Sequence, residues 1–129
     1  MKYSKKVIEL FVSPKNVGEI GNPDGEAEVG NPVCGDVMKI QLKVEDNCIT
    51  DIKFRTFGCA AAIASSSILT ELVKGKTLEE AKNVTYDVLV KTLGGLPPQK
   101  IHCSSLAIEA LHKAIEDYIK RKSVENAPG

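Results

Sequence analysis

From Met38 to Val44 the chain alternates: Met38, Ile40, Leu42 and Val44 are apolar, and Lys39, Gln41 and Lys43 between them are polar. A period of two places the apolar set on one face of a strand and the polar set on the other. The alternation resumes after Glu45-Asp46-Asn47, with Ile52, Phe54 and Thr56 set against Asp51, Lys53 and Arg55. A tight turn between two such runs predicts a β-hairpin with one wet face and one that another layer must cover. Glu26-Ala27-Glu28-Val29 predicts a short edge strand before it, broken by Gly30-Asn31-Pro32.

Elsewhere the period lengthens to that of a helix. Tyr3, Val7, Leu10 and Phe11 predict an amphipathic helix over residues 3–11, closed by Pro14, and the Gly-, Asn-, Pro- and Asp-rich stretch 16–25 predicts a surface loop. Residues 60–73 predict a helix of mostly small residues that also carries Ile63, Ile68, Leu69 and Leu72, with Gly75 as its stop. Thr77-Leu78-Glu79-Glu80 has the pattern of a capping box. Thr85 caps a short helix that runs through Leu93 and ends at Gly94-Gly95, and Leu96-Pro97-Pro98 is a stiff connector. A last helix is expected from about Ser104 to Lys122, burying Ile108, Leu111, Ile115, Tyr118 and Ile119. Strands first and helices after predict an α+β fold: a three-stranded, largely antiparallel sheet with helices packed on one face, in a single domain over residues 1–129.

Charge narrows the function. Lys plus Arg and Asp plus Glu both number 17, a balance that argues against nucleic acid as a partner. Lys2, Lys5, Lys6, Lys120, Arg121 and Lys122 read as solvated helix ends. No apolar run approaches the roughly 20 residues of a membrane span, and Met1 to Lys6 does not open a signal-type segment. The expected compartment is therefore the cytoplasm, where cysteines serve as metal ligands or reactive thiols more often than as disulfides. Trp is absent and aromatic residues are few, so Val, Ile, Leu and Ala must make the core.

Three of the four cysteines share a setting. Cys34 lies in a loop opening onto the hairpin, Cys59 begins a helix after the second strand, and Cys103 begins the last helix. A helix start favours thiolate, the form that binds metal and attacks sulfur. The separations of 25 and 44 residues are not those of a zinc ribbon or ferredoxin, so either the fold assembles one site from distant segments or the cysteines are unrelated. Asp36, two residues beyond Cys34, faces the same side if the strand has begun, or else caps the turn at Gly35. His102 adjoins Cys103 and either ligates metal or hydrogen-bonds the loop. Cys48 reads as a packing residue, and His112 as a surface residue without a role.

Taken in order, Gly30-Asn31-Pro32-Val33-Cys34-Gly35-Asp36, Phe57-Gly58-Cys59, Ile63-Ala64-Ser65-Ser66-Ser67 and Ile101-His102-Cys103-Ser104 resemble the IscU/NifU-type iron–sulfur cluster assembly scaffolds. The opening Tyr3-Ser4-Lys5-Lys6-Val7 and Ser13-Pro14-Lys15-Asn16-Val17-Gly18 are similar to that family too. The resemblance implies a scaffold and carrier and not an enzyme. It implies that Cys34, Cys59 and Cys103 hold a labile [2Fe–2S] cluster, with Asp36 and His102 as neighbouring or alternative ligands. It further implies sulfur delivery from a cysteine desulfurase, with Cys103 as acceptor, and transfer of the cluster to acceptor apo-proteins. Iron is the expected metal, with zinc as an alternative in the isolated protein and self-association on cluster binding as an accompanying expectation. Leu96-Pro97-Pro98-Gln99-Lys100 is similar to the loop that an Hsp70/J-protein chaperone pair binds, with Gln99 in place of the usual apolar residue.

The chain resembles a stand-alone scaffold more than the multidomain nitrogen-fixation form. Lacking a large insertion between Cys59 and Cys103 and having His102, it looks less like the SufU branch. Two rival readings share the same residues: a domain with a permanent structural zinc, and a thiol enzyme using Cys103 and His102.

Overall fold

The computed structural model describes residues 2–31 and 35–125. Cys34 lies outside the described residues, so the expectations that rest on its position are not addressed by the geometry below.

Three strands, β1 (Gly25–Asn31), β2 (Asp36–Glu45) and β3 (Cys48–Phe57), form an antiparallel meander in the order β1-β2-β3. The hairpin turn is Asp46-Asn47, both at positive φ, the two-residue loop whose twist matches that of the strands it joins. β1 is longer than its pattern predicts: Gly30 and Asn31 stay in the ladder, opposite Val37 and Asp36. A bulge between Lys43 and Val44 shifts the register. It lets Ile49 and Ile52, three residues apart, both face inward. Gln41, expected on the wet face, is buried, because the Ile20 N–H donates to its Oε1 at 2.8 Å and the preceding loop lies across it. That loop also covers the free edge of β3: Phe54 N–H donates to the Asn16 carbonyl and Gly18 N–H to the Phe54 carbonyl.

The helices are α1 (Lys5–Val12), α2 (Ala60–Val73), α3 (Leu78–Lys82), α4 (Tyr86–Thr92) and α5 (Ile101–Glu125), with one 3₁₀ turn at Pro98–Lys100. They cover one face of the sheet over a core that includes Met38, Ile40, Leu42, Phe54, Leu69, Leu111 and Ile115. Ser4 caps α1, accepting from the Val7 N–H at 3.1 Å. The box at Thr77 and Glu80 forms in both directions. Thr85 stands at the start of α4 but makes no side-chain cap bond.

Two expectations for the last helix need correction. It begins at Ile101, because the 3₁₀ turn feeds straight into it, and so His102 and Cys103 lie inside its first turn. Its buried stripe is Cys103, Leu106, Ala107, Ala110, Leu111, Ala114 and Ile115, whereas Ile108 and Tyr118 are half-buried and Ile119 is exposed. The alanines face inward because the sheet comes close. A β-carbon on Gly25 would lie 2.5 Å from the Ala114 carbonyl oxygen, so β1 touches α5 backbone to backbone. His112 is not idle either: its Nε2 lies 3.2 Å from the Lys82 carbonyl and ties α5 to the end of α3.

α2 is buried on most sides, and four of its inward residues are polar: Ser65, Ser66, Ser67 and Thr70. Each has a partner. Ser65 and Ser104 hydroxyls meet at 2.8 Å, Ser66 donates to the Met38 sulfur at 3.0 Å, Ser67 accepts from the Lys15 N–H at 2.7 Å, and Thr70 donates to the Ser67 carbonyl at 2.7 Å. Among the described residues no buried side-chain nitrogen or oxygen lacks a partner, as a low-dielectric interior requires.

Candidate metal centre

Three element boundaries meet at one end of the sheet. Asp36 opens β2, Cys59 is the N-cap of α2, and His102 and Cys103 occupy the first turn of α5. The segment 57–59 leads directly from β3 into α2, so the hairpin that places Asp36 also delivers Cys59 beside it.

Cys103 is the hub. Its Sγ lies 3.6 Å from Cys59 Sγ, 3.7 Å from Asp36 Oδ2 and 3.7 Å from His102 Nε2. His102 Nε2 is in turn 3.8 Å from Asp36 Oδ2. Asp36, Cys59 and Cys103 offer ligand atoms that all lie within 4.8 Å of one another. A tetrahedral ion with metal–sulfur bonds of about 2.3 Å spaces its ligands about 3.8 Å apart. The separations of 3.6 and 3.7 Å about Cys103 match that spacing, so Asp36, Cys59 and Cys103 are placed to hold one metal ion.

Burial grades across the site. Cys103 is fully buried and Asp36 nearly so, Cys59 is half-buried, and the His102 side chain is 36% exposed. Burial pushes the Cys103 thiol far above its ordinary value, and the adjacent Cys59 sulfur and Asp36 carboxylate push it further. In the metal-free site, desolvation and neighbouring negative charge oppose the thiolate that a helix start favours. A cation reverses that balance, because it replaces the proton and offsets the crowded negative charge.

Two further side chains border the site, neither assigned there by the sequence. Tyr3 packs on the core beside Cys59; burial, then the Cys59 charge, raise its phenol above the ordinary range. Lys100, in the 3₁₀ turn, is held charged above its ordinary range by Cys59 first, and more weakly by Tyr3, Cys103 and Asp36. It is a surface cation beside an anion-rich cluster. Within the connector, Leu96 packs against the core while Pro98 and Gln99 are exposed. Cys48 is half-buried at the hairpin turn, at the far end of β3 from Cys59.

The NifU-like N terminal domain model matches residues 2–125. The chain belongs to that family. It is 60% identical over 119 residues to the iron–sulfur cluster assembly scaffold protein IscU 1 of Archaeoglobus fulgidus, covering 92% of this chain and 78% of the relative. It is 50% identical over 129 residues to the IscU scaffold of Aquifex aeolicus, covering 98% and 82%. A solved structure described as a putative iron–sulfur cluster assembly scaffold for the SUF system, from Fervidobacterium islandicum, superposes with a TM-score of 0.73 at 25% identity, covering 88% of this chain and 96% of that one. Among the described residues, no helix is long and apolar enough to cross a membrane.

Proposed function

We propose that this chain is an iron–sulfur cluster assembly scaffold, a carrier and not an enzyme, working as a single domain in the cytoplasm. The observation that carries the reading is the convergence of Asp36, Cys59 and Cys103 on one half-open point, in a chain 60% identical to an IscU scaffold. Cys34, close in sequence to Asp36, is the third thiolate of the set.

A [2Fe–2S] unit needs four protein ligands. Three thiolates leave the fourth place to Asp36 or His102, and oxygen or imidazole suits an iron–sulfur unit less well than thiolate. Such a cluster is held weakly, which suits a donor. Asp36→Ala is therefore expected to lengthen the lifetime of the cluster, followed by visible absorbance without oxygen; faster loss than in the parent rejects this role.

Sulfur arrives as a persulfide on a cysteine desulfurase. Cys103 attacks the outer sulfur, a new S–S bond forms on Cys103, and the donor thiolate leaves. Two electrons from an external reductant then convert that sulfur to sulfide. Because Cys103 is buried and its thiol holds its proton, attack needs a base and a local opening; His102 Nε2, 3.7 Å away, is placed to take the proton. Mass spectrometry after one turnover should find the added sulfur on Cys103, and a persulfide confined to Cys34 or Cys59 refutes this step.

The completed cluster passes to acceptor apo-proteins, with self-association on cluster binding. The segment Leu96–Lys100 is the proposed grip for a chaperone pair. The test of the whole reading is reconstitution without oxygen, with iron, a desulfurase and cysteine, followed by mixing with an apo-ferredoxin. A ferredoxin spectrum that grows as the scaffold spectrum fades is the expected result. The tetrahedral spacing favours one second reading, zinc held in the isolated protein. If that zinc is the function, no transferable chromophore forms.

A further inference from the structure

We propose that Gly58 is a positioning residue: its missing side chain is the space that lets the Asp36 carboxylate reach over Cys103. The inference relies on the scaffold reading only for the purpose of the metal, not for the placement of the carboxylate.

Val37 pairs with Phe57 at the end of the β2–β3 ladder, so Asp36 and Gly58 come next on their two strands. Gly58 is not among the residues with positive φ, and its backbone does not itself demand glycine. What demands it is a neighbour. A β-carbon there would lie 2.8 Å from Asp36 Oδ1, 3.2 Å from Asp36 Cγ and 3.0 Å from the Ala62 β-carbon. Separations under about 3 Å between carbon and a non-bonded heavy atom are inside van der Waals contact. The other carboxylate oxygen, Oδ2, is the one 3.7 Å from Cys103 Sγ and 3.8 Å from His102 Nε2. One oxygen thus fills the place a side chain would take, and the other faces the donors.

A methyl group at position 58 meets two things of unequal stiffness. Ala62 is fixed in the first turn of α2, whereas the Asp36 carboxylate is the free end of a side chain. The carboxylate yields first, and turning it away from Oδ1's present place also swings Oδ2 away from the sulfur. Gly58→Ala therefore acts like the removal of Asp36 while the carboxylate stays in the chain.

The test is a double-mutant cycle read by titration with cobalt(II) alone, whose absorption bands report both affinity and the ligand set. Gly58→Ala and Asp36→Ala should each weaken cobalt binding by about 10–100-fold, the range for losing the support of a ligand. Both should shift the bands in the same direction. The double variant should bind no more weakly than Asp36→Ala. Multiplied losses in the double variant, or parent-like binding by Gly58→Ala, overturn the proposal. So does recovery on adding Ala62→Gly, which would assign the damage to the Ala62 contact. If Gly58→Ala does not fold, judged by circular dichroism, the cycle is run on Gly58→Ala/Ala62→Gly, in which only the Asp36 contact remains. No iron, sulfide or desulfurase enters, so failure of cluster transfer in the parent sinks the scaffold reading and leaves this result standing.

Discussion

At the hairpin end of the sheet, chemistry closes on itself. Thr77 and Glu80 satisfy each other's backbone groups, Ile49 N–H donates to the Lys76 carbonyl at 2.8 Å, and Leu78 N–H donates to the Asn47 carbonyl at 3.0 Å. Beside them Arg121 joins Asp117 at 3.0 Å and Glu26 at 3.2 Å. At the opposite end two sulfurs, a carboxylate and an imidazole crowd together, no side chain caps α2, and the most buried thiol is held in its protonated form. The contrast separates the polar groups that hold the fold from those left for a ligand. Charges at the first end are paired with their opposites; at the second, two sulfurs and a carboxylate share one point, with the His102 imidazole 3.8 Å from Asp36 and Lys100 at the margin.

Substitutions matched across the two ends test the separation. The largest effect is expected at the hub: Cys103→Ser should weaken zinc or cobalt binding by well over about 100-fold, more than the loss of a supporting residue. Cys48→Ser at the hairpin should leave it unchanged; competition with a chromophoric chelator measures both. Next comes pH. A raised thiol keeps its proton until the metal displaces it, so from pH 8 down to pH 6 cobalt affinity should fall by at least about tenfold per pH unit, that one proton being the minimum released. A flat profile would mean that Cys103 is not a ligand.

A smaller effect is expected one step from the site. Ser65→Ala leaves the Ser104 hydroxyl buried without its partner and should cost about 1–2 kcal/mol in urea unfolding. Because Ser104 follows Cys103, metal affinity should fall too, and Ser65→Ala/Ser104→Ala should lose no more affinity than the worse single variant. The smallest effect is at the hairpin end, where Thr77→Ala should cost about 1 kcal/mol with metal affinity intact. Glu80 is held below its ordinary 4.5 by the Thr77 backbone and hydroxyl. A lowered carboxylate stabilises the fold above that pH and ceases to do so as pH falls. The stability gap between the parent and Glu80→Ala should therefore be open at pH 7 and close in acid.

The same contrast explains what can be read from the sequence. The capping box, the hairpin and α2 are legible because their signals are local: a Thr and a Glu three apart, an alternation of two, a run of small residues. The convergence of Asp36, Cys59 and Cys103 can be named through family resemblance, but separations of 23 and 44 residues do not dictate it, since loop closure at those lengths is set by the whole fold. The stripe of α5 is easily misread because a pattern of large apolar residues hides a contact made by alanines. A helix start points to thiolate at Cys103, and burial opposes it, an effect invisible without depth. Gly58 carries a signal in its place beside Cys59, but only the distance to Asp36 says what it is for.

The touching backbones of Gly25 and Ala114 have a mechanical consequence. They form a fulcrum, and α5 is the rod that rests on it. Cys103 is 11 residues up the rod from Ala114, a lever arm of about 16 Å. A side chain at Gly25 that tilted the helix by about 5° about this contact would shift that sulfur by about 1.4 Å, so a change at the far end of the helix would be felt in the cargo pocket.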